Sequence, residues 1–330
     1  MSFTTLIPAY KAEFLIELLT CIRRQSLKPE RIIFSDDSPN NVFQRMLTSD
    51  PIKSKIADLP IEVIIGPKQG HYYQNIQSLL GAYLAAGKKK TDYFHILLDD
   101  DLIYPTFYEQ HLKGHTAFKT RCVLSRRWLT VSDSDPAKDA FLPPQFANNP
   151  NLFQQIDSSQ AFSLTVGKGI NCFGEFSNTT FNAAMAEELS QSVFDGVPYI
   201  GMDDLGSFLR SSIHSPLVFI NQHLGIFRKS DGNNSSHPKR KPFKQALIAW
   251  FALAIVGKRL GKLNDQDYLY ALAHRKANLL AHHQKSYTEE QDMQEIIDFF
   301  NSVPLTAPDF AEKFIAVWSR FLAPEHELLV

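Results

Sequence analysis

The stretch Tyr93–Phe94–His95–Ile96–Leu97–Leu98–Asp99–Asp100–Asp101–Leu102–Ile103–Tyr104–Pro105 constrains the fold more than any other part of the chain. Six mostly apolar residues with two β-favouring aromatics predict a buried strand, and three carboxylates follow without a spacer. Adjacent negative charges repel, so a fold that holds three together supplies a cation. At the carboxyl end of a strand in an open α/β sheet they stand where such folds bind ligands. Asp99 and Asp101 alternate along an extended backbone and point the same way, a spacing suited to one hard cation. A solvated turn ended by Pro105 is the plainer reading, and it fits less well because the acids abut an apolar run.

The residues before this stretch place it fourth in a β-α-β-α order. Phe3–Pro8 reads as a first strand and Glu13–Gln25 as a helix with Phe14, Leu15, Leu18, Leu19 and Ile22 on one face. Arg31–Ser35 is a second strand, ending in Asp36 and Asp37, and Ile61–Ile65 a third. A helix follows over about 73–86. This order predicts a mainly parallel sheet, and two strands ending in paired acids predict a shared ligand-binding edge. Beyond it come a helix around 107–118, a short strand at Cys122–Ser125 and a long polar loop over 132–160. A glycine-bearing stretch at 167–176 and a helix over 180–191 follow. The acidic pair Asp203–Asp204 opens a helical turn, where carboxylates also serve as simple caps. Leu217–Ile220 reads as the last strand. The polar stretch 221–242, ending in Lys239, Arg240 and Lys241, suits a lid over an anion. From Phe243 the chain turns all-helical, so the expected domains are 1–242 and 243–330.

Length and composition bound the rest. The 330 residues, 44% hydrophobic with 25 Phe, support a large α/β domain plus an appendage. A net charge of −1 argues against broad binding of nucleic acid. Three cysteines without zinc spacing fit a reducing compartment. The N-terminus enters a strand pattern at once, so no signal peptide is expected. The apolar run Ala246–Val256 is too short to span a bilayer. A cytoplasmic protein is expected, at most at the inner face of the membrane.

In order along residues 2–235, these motifs resemble glycosyltransferase family 2, whose members are inverting enzymes of the GT-A fold. Leu6–Ile7–Pro8–Ala9–Tyr10 is similar to the family's first-strand motif, and Glu30–Arg31–Ile32–Ile33–Phe34–Ser35–Asp36–Asp37–Ser38 to its second-strand motif. Gly70 through Asn75 falls where the family has a Gly-containing turn and an Asn. Asp99–Asp100–Asp101 resembles the DXD signature, Gly174–Glu175–Phe176–Ser177 a "G-E-P-S" element, and Asp203–Asp204 with Arg210 the "E-D" and "L-x-x-R" motif. The resemblance implies a GT-A fold, Rossmann-like with helices on both faces of the sheet, plus a C-terminal helical extension. It also implies a nucleotide site at Pro8, Tyr10, Asp36, Asp37, Asn75 and Asp99, and an acceptor site bordered by Glu175 and Ser177. Asp204 would be the catalytic base, with Asp203 beside it. Two departures stand out: Asp203 replaces a Glu, and Ser230 stands where a related "F-R-x-H" element has histidine. His223 and His237 are the substitutes considered as a further metal ligand beside Asp99 and Asp101.

The chemistry follows from the residue types. A leaving nucleoside diphosphate gains charge, and Mg2+ or Mn2+ fits the all-oxygen donor set that would meet it. A carboxylate suffices to deprotonate an attacking hydroxyl. The expected partners are a nucleotide-sugar donor and a glycan or lipid-linked acceptor, in cell-surface glycan synthesis, with no nucleic acid. The segment Phe243–Val256 is expected to pack on the catalytic domain or on a second copy; Trp250 and Phe251 offer an alternative, shallow membrane docking. A non-catalytic nucleotide-sugar-binding scaffold and a nucleotidyltransferase are the rival readings. Intact Asp101 and Asp204 weigh against the first, and a glycine-free turn after the first strand against the second.

Overall fold

The computed structural model describes residues 1–54, 56–68, 72–87, 90–130, 137–229, 237–286 and 291–326. The chain divides into two compact units. The first comprises Met1–Ser158, Cys172–Gln191 and Ser207–Ser230; the second comprises Ser159–Asn171, Ser192–Gly206 and Asp231–Val330. This division differs from the single cut expected at 242/243, because two segments from the middle of the chain cluster with the C-terminal helices.

In the first unit the strands are β1 (Phe3–Ala9), β2 (Arg31–Asp36), β3 (Ile61–Ile65), β4 (Tyr93–Ile96), β5 (Leu102–Ile103), β6 (Cys122–Thr130), β7 (Lys138–Asp139), β8 (Phe153–Ile156) and β9 (Thr179–Asn182). Two strands of the second unit, β10 (Val193–Phe194) and β11 (Val197–Pro198), precede β12 (Leu217–Arg228), which returns to the first. The large sheet runs β3-β2-β1-β4-β9-β6-β12-β5. Its β3-β2-β1-β4 half is parallel, as the βα alternation predicts, whereas β9 runs antiparallel to both β4 and β6, so the whole sheet is mixed.

Helices cover both faces. Alternate residues Phe3, Ile7, Ile32 and Phe34 pack with α1 (Leu15–Arg23) through Leu15, Leu18, Leu19 and Ile22. The same face takes α2 (Val42–Thr48), followed in the chain by the short α3 (Asp50–Lys53), and α5 (Phe107–Phe118). On the opposite face, α4 (Tyr72–Leu84) sets Tyr83 against Phe94, ring centroids 5.2 Å apart. Cys122 and Cys172 are buried and Cys21 is half-buried; burial pushes the thiols of Cys21 and Cys172 up to about 12.

Three expected elements differ. The loop over 132–160 holds β7, α6 (Pro144–Ala147) and β8, although residues 131–136 lie outside the described ones. The helix over 180–191 is instead strand β9 and the shorter α8 (Met185–Leu189). The strand ending at Ile220 continues as β12 to Arg228, through register shifts on either side of His223.

In the second unit, α7 (Ser158–Leu164), whose first residue belongs to the first unit, supplies Phe162. Phe162 lies against Gly257 of α10 (Lys241–Arg259), and the Ser163 hydroxyl donates to Asp267 of α11 (Asp265–Ser286) at 2.8 Å; α12 (Gln291–Ser302) and α13 (Phe310–His326) complete the helices of this unit. Phe251 lies 4.3 Å from Phe300 and 5.7 Å from Phe314 by ring centroid, and the Trp318 indole donates to the Pro198 carbonyl at 2.8 Å. Trp250 is 7% exposed beneath the Arg275 guanidinium, and Phe251 is fully buried. Both rings are therefore used inside the protein. No helix among the described residues is long and apolar enough to cross a membrane.

Candidate active site

The parallel strands β1, β2 and β4 end at one edge of the sheet. Pairing of β1 with β4 stops at Leu6 and Ile96, and Pro8 has no N–H with which to extend it. Pairing with β2 runs on to Ala9 and Asp36. At this edge the chain leaving β4 forms the turn that carries the acid triplet. All three acids are buried, Asp101 completely.

Each acid has different company. Asp99 Oδ2 accepts both the Tyr10 and Lys11 N–H groups at 2.5 Å, which ties the β1–α1 turn to the end of β4. Asp100 pairs with the Lys11 ammonium. Asp101 Oδ1 accepts the Arg228 N–H at 2.9 Å, while its Oδ2 is buried without a hydrogen-bond partner. Burial, then the Asp100 charge, pushes the Asp99 carboxyl up to about 6 against the two N–H groups and the Lys11 charge. The same two causes push Asp101 well up; the Ser177 side chain and the Arg228 N–H pull the other way without offsetting them. A divalent ion would relieve both. Mg2+ is usually held by one or two carboxylates together with substrate phosphates and water, so this all-oxygen set with one orphaned oxygen fits Mg2+ or Mn2+. Among the described residues, no group of three or more His, Cys, Asp or Glu side chains is arranged to hold a metal alone.

Ser177 supports the triplet from behind. Its hydroxyl accepts the Leu98 N–H at 3.1 Å, and its carbonyl accepts from His95 Nε2 at 3.1 Å. Because that carbonyl can only accept, Nε2 carries the His95 proton. Nδ1 then accepts the Tyr108 hydroxyl at 3.0 Å, and Tyr108 in turn accepts Thr5 at 2.6 Å. Burial holds the His95 imidazole down at about 3, so it is neutral. Beside Ser177, Glu175 forms a two-point ion pair with Arg127, one contact being Nη2 to Oε1 at 3.0 Å. The pair depends on Gly174, whose φ of +105° suits glycine. A Cβ there would lie 2.6 Å from the Arg127 guanidinium carbon and collide with Asn178.

The remaining predicted residues separate by role. Asp36 is buried, with Oδ1 taken by the Ser38 N–H at 3.0 Å and Oδ2 by the Gln44 N–H at 2.9 Å, so it shapes the β2–α2 turn. Asp37 accepts the Lys68 N–H. Asn75 donates to the Ser35 carbonyl at 3.2 Å, and its Oδ1 is buried without a hydrogen-bond partner. Tyr10 is 52% exposed at the edge. Residues 69–71, with Gly70, and residues 230–236, with Ser230 and the middle of the expected lid, lie outside the described ones. Arg240 precedes α10 and Lys241 opens it, so part of the basic cluster is helical.

Asp203 and Asp204 stand in the second unit, in the first turn of α9 (Asp203–His214). Asp203 is committed locally: Oδ1 accepts Ser192 at 3.0 Å, and Oδ2 the Gly201 N–H at 3.1 Å. Asp204 is half-buried, near the Asn171 amide at 3.5 Å. Arg210 pairs with Glu188 of α8 in the first unit. His223 meets Asp139 at 2.9 Å and stacks on Trp128 with centroids 3.7 Å apart. Its polar contact is therefore spent away from the triplet. Sequence reasoning missed Lys11, Arg127 and Arg228. Only Arg228 stood in a quoted motif; nothing in spacing marks the other two.

No family model matches the sequence, and no curated protein matches it. Solved structures do. The chain is similar to S. aureus TarS 1–349 (TM-score 0.52, 12% identity, covering 100% of this chain and 83% of that one). It is similar also to TarS 1–349 in complex with UDP-GlcNAc (TM-score 0.53, 13% identity, 100% and 84% covered). Against the longer S. aureus TarS chain the TM-score is 0.55 at 13% identity, with 99% of this chain and 54% of that chain covered. At such identity the likeness is one of fold.

Proposed function

We propose that this protein is a glycosyltransferase that takes a sugar from a nucleotide-diphosphate donor and passes it to a hydroxyl acceptor with inversion. One observation carries the reading: an acid triplet at the carboxyl edge of a parallel half-sheet leaves one buried Asp101 oxygen without a partner. The likeness in fold to a protein crystallised with UDP and UDP-GlcNAc supports it.

In this reading Asp99 and Asp101 hold Mg2+ or Mn2+ together with the donor's diphosphate. A cation held there would supply positive charge to the leaving phosphate. Tyr10, exposed at the end of β1, and the β2 edge at Asp37 receive the nucleoside. Asp204 takes the acceptor's proton as its oxygen attacks the anomeric carbon from the face opposite the leaving group, so one displacement inverts the configuration. Asp203, with its oxygens on Ser192 and Gly201, positions that turn rather than the acceptor. The Arg127–Glu175 pair borders the acceptor side in place of a free Glu175. Glycans and lipid-linked glycans supply acceptors of this kind, at the inner face of a membrane or in solution.

A thermal-shift series with UDP-, GDP- and dTDP-sugars, each with and without Mn2+, tests the reading. One nucleotide class should raise the melting temperature by several degrees, and more with Mn2+ than without. No shift with any nucleotide would rule the donor site out.

A further inference from the structure

Resting on the donor site just proposed, we infer that Lys11 is a built-in cation of that site. It neutralises Asp100 when no donor is bound and turns to the donor's diphosphate when one is. Three carboxylates buried within three consecutive residues need positive charge close by. Among the described residues, two basic side chains stand beside the triplet, and they are held differently. The Arg228 guanidinium meets Glu17, lies 3.3 Å from the Asp100 carbonyl and sits over the Phe14 ring at 4.7 Å. Three attachments on three residues make it a fixture.

The Lys11 ammonium pairs with the Asp100 carboxylate at the end of a flexible stem, and its side chain is 23% exposed. Its backbone, by contrast, is pinned through its own N–H to Asp99. Lys11 is thus anchored at its root, beside the acid expected to meet the diphosphate, with its ammonium at the end of a flexible stem beside Asp100. Asp101 Oδ2 stays unpartnered while Lys11 covers Asp100, so the side chain does not fill the position left for a divalent ion.

A resident ammonium has two effects of opposite sign, which a merely structural role would not produce. It repels an incoming divalent cation, and it attracts a bare nucleoside diphosphate. Calorimetric titration of wild type, Lys11→Met and Lys11→Arg with Mn2+ alone, and with UDP in EDTA, reads both. Lys11→Met should bind Mn2+ about three- to tenfold more tightly and UDP without metal weaker by a similar factor, the size expected of one accessible charge. Lys11→Arg should stay near wild type in both. Equal affinities in Lys11→Met and wild type, or losses on both sides, would overturn the inference, as would wild-type protein that binds UDP only when Mn2+ is present. Wild-type protein that binds UDP in neither condition would remove a UDP-sugar donor site itself, and this inference with it.

Discussion

Replacing Asp204 with Asn removes the carboxylate proposed to accept the acceptor's proton while keeping its size. Transfer should fall about 10²- to 10⁴-fold, with UDP affinity unchanged, as measured by single-turnover rates beside calorimetry. An unchanged rate would move the base elsewhere. Asp101→Asn acts on the other partner. It keeps an acceptor for the Arg228 N–H but withdraws the charge from the orphaned oxygen, so Mn2+-dependent UDP binding should weaken at least tenfold, roughly one charge–cation contact. Gly174→Ala places a methyl group against Arg127 and Asn178 at a backbone angle that disfavours it. A loss of about 2 kcal/mol or more in urea unfolding is expected, and with it the Arg127–Glu175 pair.

Among the elements, β9 shows both what the sequence told and what it hid. Thr179–Thr180–Phe181–Asn182 has the β-branched content of a strand, yet four residues before Ala183–Ala184–Met185 read as the start of a helix. Its place was set by partners far away in the chain. The Thr180 hydroxyl sits between two buried imidazoles, His111 Nδ1 and His115 Nε2, each at 2.9 Å. Since the Thr120 carbonyl takes the His115 Nδ1 proton, Thr180 donates to His115 and accepts from His111. Thr180→Val breaks both links and should cost about 1–3 kcal/mol, read by the same urea melts. The parallel half of the sheet was legible because each strand is a local apolar run ended by turn residues. Likewise the triplet and Asp37 could be placed at one edge from the strand pattern, and Tyr10 from the family resemblance. Lys11 and Arg127 could not be, since one long cation looks like any other until its carboxylate is brought opposite. The stretch to Arg228 read as a lid because Asn221–His223 are polar, a pattern that strand β12 accommodates through register shifts.

Across the whole molecule, acidity should act mainly through three buried histidines. His95 is held at about 3, His115 at about 4 and His111 well below the ordinary value, all chiefly by burial. Their folded values lie below the unfolded one. They therefore leave stability intact above about pH 6.5 and withdraw it as the pH falls toward the folded values, about 2 kcal/mol each for His95 and His115 at pH 5. Asp99, raised to about 6, and Asp101, also raised well up, work the other way as the pH falls, but they are two groups against three. Denaturant melts in EDTA should show a marked loss of stability between pH 6.5 and 5. His95→Gln, which can still donate to Ser177, should reduce that slope; an unchanged slope would mean that His95 does not contribute to it.

The three thiols have a practical corollary. Cys21, Cys122 and Cys172 all fall in the first unit, and the second contains none. Kept protonated by burial, they should resist a thiol-reactive dye while that unit stays shut. Dye uptake would then time the opening of the sheet alone, whatever the C-terminal helices are doing, and its slowing by a nucleotide would report occupancy without any sugar being transferred.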